Sequence, residues 1–243
     1  MNAPVDTYYH PAEFRVGQAL SRAFDVLFGN FLTFIAISAI ATLPTIVYEY
    51  NTLERTIPTY SWVPLLLRFL VSSLCEAMIL YATFQALRGR PVSAVDSAGR
   101  GLQRFVWVVL ASVLTTIVVS LGYLLLIVPG LIAYTVYSLT LPACVVEKLG
   151  PVESMSRSAE LTRGYRWPIF GALFAVGVVE LIAGAVIGAT TRHADTALLY
   201  SGLLFVASTL FRAYESVLIA IIYHDLRVVK DGIDLEDIAG VFD

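Results

Sequence analysis

The stretch FVWVVLASVLTTIVVSLGYLLLIVPGLIAYTVYSLTLPACVV, residues 105–146, contains no Asp, Glu, Lys or Arg, and Arg104 and Glu147 bound it on either side. A bilayer-crossing helix needs about 20 mostly apolar residues, so this run is long enough for two. Pro129-Gly130 falls inside it, and a Pro-Gly step within an apolar run is a turn signal. The spacing predicts a tight hairpin of two membrane helices, residues 105–128 and 131–147. Pro142 should kink the second by removing a backbone hydrogen bond.

Four more segments meet or approach the same length: residues 31–50, 62–87, 168–189 and 196–223. Composition agrees. The chain is 58% hydrophobic and 14% charged, with a mean hydropathy of +0.76, whereas soluble domains are roughly 45–50% apolar and about 25% charged. A soluble fold of 243 residues would have too little polar surface to cover it. The fold class predicted is an all-α integral membrane bundle of six transmembrane helices, one domain over residues 14–236 between polar tails at 1–13 and 237–243. Residues 1–13 lack the basic start and apolar core of a signal peptide, so they are expected to remain as a tail.

Positively charged loops stay on the cytoplasmic side. The two tails and the segments between spans two and three and between four and five hold twelve Lys or Arg, and the other face has Arg55 and Arg192. Both termini are therefore expected in the cytoplasm. Net charge is only −3 and the aromatics are not interleaved with basic clusters, so nucleic acid is not an expected partner.

Three cytoplasmic segments resemble one another: RVGQALSRAFD at 15–25, PVSAVDSAGR at 91–100 and PVESMSRSAE at 151–160. Each leads into a membrane hairpin. In the third, Val152, Met155 and Ala159 share one helical face, with Glu153 and Arg157 as an i,i+4 pair on the other, a pattern that suits a helix lying in the interface plane. Glu76 and Glu215 each precede an aromatic by eight residues, Phe84 and Tyr223, and Ser138 stands near the equivalent position of span four. The architecture expected is three repeats of interfacial helix plus hairpin.

Arg68, Glu76, Glu180, Arg212 and Glu215 lie within spans, where a charge costs at least ~2.5–3.5 kcal/mol at mid-depth. Arg68, Ser72, Glu76 and Thr83 share one face of span two; Ser201, Ser208, Arg212 and Glu215 share one of span six. Span five carries Gly177, Gly184 and Gly188 on the face of Glu180, which predicts a closely packed neighbour and a buried carboxylate. Glu76, Glu180, Arg212 and Glu215 can form one cluster with Arg212 as the cation, and Arg68 can snorkel outward. The cluster either fixes helix register or handles a proton or solute. A transporter requires a solvated cavity reaching Glu76 or Arg212, whereas a scaffold packs them dry.

Arg157, Arg163, Arg166 and Trp167 flank span five, where Arg can reach lipid phosphates and Trp prefers the headgroup layer. His224-Asp225 reads as a solvated interfacial pair, and Cys75 and Cys144 as small buried hydrophobes. No metal, nucleotide or nucleophile motif appears, so neither cofactor nor catalytic residue is expected.

The segments VVEKLGPVESMSRSAELTRGYRWPIFG at 145–171, YHDLRVVKDGIDLE at 223–236 and LIVPG at 126–130 resemble the glycerophosphoryl diester phosphodiesterase membrane-domain family of bacteria and, more distantly, YciC-like proteins. The resemblance runs from Phe14 to Glu236. It implies a six-helix membrane module; in that family the phosphodiesterase chemistry belongs to a separate soluble domain, and none is expected within these 243 residues. The preferred reading is a non-catalytic module that supports a protein partner, a second copy of the chain or the lipid environment. The alternative is a small transporter or channel using the mid-membrane charges.

Overall fold

The computed structural model describes residues 14–53, 62–90, 92, 94–191 and 197–232. Both tails, Arg55, Arg192, His10, His193, Pro91 and Ser93 lie outside them. The described residues form ten helices and no strands: α1 (Val16–Gly29), α2 (Phe31–Leu53), α3 (Trp62–Leu87), α4 (Ala94–Gln103), α5 (Phe105–Leu125), α6 (Ile127–Tyr137), α7 (Thr140–Val146), α8 (Pro151–Thr162), α9 (Arg166–Thr191) and α10 (Ala197–Asp231). A short helix followed by two long ones occurs three times in this order, with the fourth long element broken into α6 and α7.

Five segments are long and apolar enough to cross a membrane: Arg68–Leu87, Phe105–Leu125, Ile127–Val146, Arg166–Thr190 and Leu199–Asp231. A sixth arises if Val16–Gly29 and Phe31–Pro44, bent by 95°, count as one. Only 17% of the α5 segment and 22% of the α9 segment are buried, so most of their apolar surface faces outward, as lipid contact requires. α10 is the central post, packed against α1, α2, α3 and α9. Phe84 of α3 and Tyr223 of α10 meet edge to face, ring centroids 6.0 Å apart.

The α5–α6 hairpin is tighter than expected, and its turn is displaced. Leu126 alone is extended (φ −164°, ψ 158°), and α6 begins at Ile127. Pro129-Gly130 is helical because Pro129 is the third residue of α6, where no intrahelical acceptor awaits its N–H. Glycines set the closeness of the two helices. A Cβ on Gly122 would lie 3.0 Å from the Gly130 Cα and 3.1 Å from the Pro129 carbonyl oxygen.

The break between α6 and α7 falls at Ser138-Leu139, one turn before Pro142, whose ring excludes the carbonyl four residues back. A third helix satisfies the freed backbone. The Ser158 hydroxyl of α8 donates to the Val136 carbonyl at 2.7 Å and accepts from the Leu139 N–H at 3.1 Å. This fixes which side of α8 faces the protein. Its buried face is Ser154, Ser158, Leu161 and Thr162, while Val152 is 70% exposed; the hydroxyls turn inward because broken backbone there needs partners.

Glu153 also departs from its expected pairing. Its carboxylate accepts from the Gly150 N–H at 3.0 Å, capping α8, and Arg157 points elsewhere. The His224-Asp225 pair is buried, not solvated. α10 continues to Asp231 and carries both residues into the packing against α1, where Arg22 Nη1 reaches Asp225 Oδ1 at 2.6 Å and His224 Nδ1 lies 3.1 Å from the same oxygen.

Candidate functional site

A cavity of about 260 Å³ lies between α3, α5, α6, α7 and α10. Glu76, Arg212 and Glu215 line it together with nine hydroxyl side chains, among them Ser72, Ser112, Thr115, Tyr134 and Ser138. Glu76 sits fourteen residues into α3 and eleven from its end, about 17 Å from that end at ~1.5 Å per residue. Glu215 is similarly central in α10. The sequence repeat aligned Glu76, Ser138 and Glu215 with one another, and all three face this one space.

The charges do not neutralise one another by contact. Among the described residues, neither Glu76 nor Arg212 makes a hydrogen bond or an ion pair within 4.0 Å, and the carboxylate of Glu215 accepts from the Tyr134 hydroxyl at 2.7 Å. Arg212 still interacts electrostatically with both Glu76 and Glu180. One guanidinium and two carboxylates thus line a hydroxyl-rich space, the polar kind of void in which water can be held.

A second cavity, of about 350 Å³, adjoins the first; Tyr134 and Glu215 line both. Its other walls are mostly apolar, from α5, α6 and α9, and include Phe170, Phe174 and Glu180. Glu180 is exposed on this cavity and not buried between helices as the glycines of α9 predict. A Cβ on Gly177, Gly184 or Gly188 would meet nothing within 4 Å, so among the described residues no helix covers that face.

The polar stripes divide by depth. Ser72 and Glu76 reach the first cavity, while Thr83 donates to the Ile79 carbonyl of its own helix at 2.8 Å and Arg68 is exposed. On α10, Arg212 and Glu215 reach the cavity, whereas Ser208 bonds its own backbone at Leu204. Sequence reasoning missed Ser112, Thr115, Thr116, Tyr134 and Tyr137. Their signal was present, since Ser112, Thr115 and Thr116 recur at i, i+3, i+4 in an uncharged helix, and Tyr134 and Tyr137 at i, i+3.

The four interfacial residues separate into one structural member and three exposed ones. Arg157 Nε lies 3.0 Å from Glu147 Oε1, its Nη1 lies 3.2 Å from Glu160, and its Nη2 pairs with Asp231. Burial alone would lower the Arg157 guanidinium, but hydrogen bonds and charge from Glu147 and Asp231 outweigh it and hold it above its ordinary value. Tyr223 completes the cluster, donating to Glu147 at 2.7 Å. Arg157 is therefore committed to protein partners and not to lipid phosphate. Arg163, Arg166 and Trp167 are exposed, Trp167 by 82%.

The first cavity and the helices around it fall largely within residues 99–226, which match a family model described as a domain of unknown function, DUF7847. The chain belongs to the DUF7847 family. The match begins in α4 and ends in α10, so it takes in the α5–α6 hairpin, the broken element, α8, Arg212 and Glu215 of this DUF7847 protein, while Glu76 lies before it. No curated protein and no solved structure matches the chain.

Proposed function

We propose that this DUF7847 protein is a six-span protein of a bacterial inner membrane, with both termini cytoplasmic, whose mid-depth cavity takes a small cationic or zwitterionic solute, as the core of a small transporter or channel. The observation that carries it is the first cavity: Glu76, Arg212 and Glu215 line one hydroxyl-rich space of about 260 Å³. Charges placed at membrane depth line water-filled pathways or pair with one another, and here Glu76 and Arg212 lack close partners. Two carboxylates outnumber one guanidinium, so a solute bearing positive charge balances the site. The volume sits below the ~300–1,000 Å³ typical of drug-sized ligands, which restricts the solute to a small one.

Counting the bent α1–α2 pair as one span gives the sixth, and the Lys and Arg distribution supports the orientation. The short–long–long order supports the threefold repeat and the six-helix module implied by the resemblance to the glycerophosphoryl diester phosphodiesterase membrane domain. No covalent step is needed, and membrane lipids are the surrounding partners.

Cysteine accessibility tests the reading. Native Cys75 and Cys144 are 2% and 0% exposed, so background labelling is low. A T115C variant is expected to react with a water-soluble thiol reagent in intact cells and to be protected by small amines or amino acids, whereas V113C, on the outer face of the same helix, stays unlabelled. Failure of T115C to react sinks the solute reading.

The other reading, a module that supports a protein partner or a second copy, rests on a different observation. The glycine face of α9 is open at Gly177, Gly184 and Gly188, and such faces admit close helix contact. It places the partner on α9, away from the first cavity.

A further inference from the structure

The ends of α4, α5 and α7 meet around a third cavity, of about 120 Å³, lined by Arg100, Arg104, Lys148, Gln103 and Tyr81 with no carboxylate among its walls. Among the described residues none of the three cations makes an ion pair within 4.0 Å; Arg100 instead lies over the Tyr81 ring, 5.8 Å from its centroid. Three cations of one sign around one space, with no carboxylate in its walls, repel one another, and an anion held between them relieves that repulsion. We infer that this cavity is a binding site for a phosphate group, either free or carried on a lipid headgroup.

The backbone supports the assignment independently. Lys148 is the only non-glycine residue with positive φ among the described residues, at +55°. It follows the Glu147 cap of α7, the position where helices commonly end in a left-handed residue that is usually glycine. A side chain there is disfavoured relative to glycine, so local stability favours glycine, yet this chain carries a lysine whose side chain lines the cavity. Backbone strain held at one residue is a feature of binding sites.

Two further features fit an anion. Arg104 is the N-cap of α5 and provides no side-chain hydrogen bond to that end, so the partial positive charge of a 21-residue helix adjoins the cations. Gly101 lets α4 close down on α3, since a Cβ there would lie 3.0 Å from Met78 Cγ and 3.6 Å from the Met78 backbone nitrogen. The cavity is neither the Glu76 site nor the exposed Arg163, Arg166 and Trp167 group.

The test uses the full chain in nanodiscs of phosphatidylcholine, titrated with inorganic phosphate by calorimetry and, separately, with a fluorescent phosphatidylglycerol exchanged into the disc. Saturable binding of either probe, weakened about tenfold or more in Lys148→Gly and Arg104→Gln but not in Arg163→Gln, supports the site. Phosphate binding identifies a free anion, and binding of phosphatidylglycerol alone identifies the headgroup. Lys148→Gly relieves strain, so its melting temperature should equal or exceed that of the parent, which separates loss of the site from loss of fold. Absence of both binding signals, or equal binding by the parent and both pocket variants, overturns the inference.

Discussion

The Tyr134 hydroxyl of α6 donates to Glu215 Oε1 of α10 at 2.7 Å across 81 positions of sequence, and these two side chains form the wall shared by the polar cavity and the larger apolar one. Removing only the hydroxyl, as in Tyr134→Phe, keeps the ring in place and leaves Glu215 facing the polar cavity. Thermal unfolding in detergent should shift by no more than about 0.5–1.5 kcal/mol, the net worth of one hydrogen bond. Tyr134→Ala removes the wall itself. In the T115C background it should accelerate labelling by a membrane-permeant maleimide several-fold, while Tyr134→Phe should not; equal rates in the two would show that Tyr134 separates nothing.

Ser158 serves both open ends of the α6–α7 break, donating to Val136 and accepting from Leu139. Ser158→Ala removes the partner of the Leu139 N–H and leaves the Val136 carbonyl only the long Thr162 contact, at a site with no exposure, at a cost of roughly 1–3 kcal/mol. Thr162→Val should cost less, because its bond to Val136 is long at 3.4 Å. Chemical unfolding of the two variants checks the order. The reverse ranking would mean that the break is held by something other than the Ser158 hydroxyl.

Arg157 differs from its neighbours in having three carboxylate partners. Arg157→Ala should lower stability by about 1.5–3 kcal/mol, the range for hydrogen bonds to charged groups, and should leave Glu147 with Tyr223 and Arg227 near it. Arg163→Ala and Arg166→Ala, at exposed positions, should stay within about 0.5 kcal/mol. Melting curves of the three variants decide the matter, and a neutral Arg157→Ala would return that residue to the lipid interface.

The helices were legible because apolar runs and charge placement are local properties of the chain. Residues 105–146 announce a hairpin from their lack of charge, and the short amphipathic segments announce α4 and α8. The orientation of α8 was not legible. Its apolar stripe of Val152, Met155 and Ala159 suits an interfacial helix and says nothing of Ser154 and Ser158, which turn inward because the break ahead of Pro142, on another helix, leaves backbone groups that need partners. The site was half legible for a similar reason. Glu76, Arg212 and Glu215 stand out as charges in apolar segments, but uncharged Ser112, Thr115 and Tyr134 cost little in a span and signal little. Glu180 was misjudged because a glycine face states how closely a helix can approach, not that one does. His224-Asp225 was misread because its burial depends on α1, contributed by the far end of the chain.

Two glycine replacements separate close packing from open surface. At Gly122, a Cβ would press on the Gly130 Cα at 3.0 Å and on its nitrogen at 3.1 Å, backbone atoms that cannot rotate aside, so Gly122→Ala should destabilise by about 1–3 kcal/mol. At Gly184 nothing lies within 4 Å, and alanine favours a helix over glycine by about 1 kcal/mol, so Gly184→Ala should leave the monomer equal or more stable. Size-exclusion chromatography with light scattering then reads the α9 face. If a second copy packs on the glycines, Gly184→Leu should dissociate the oligomer while its monomer stays folded; an unchanged molar mass in Gly184→Leu would remove α9 as the contact between copies.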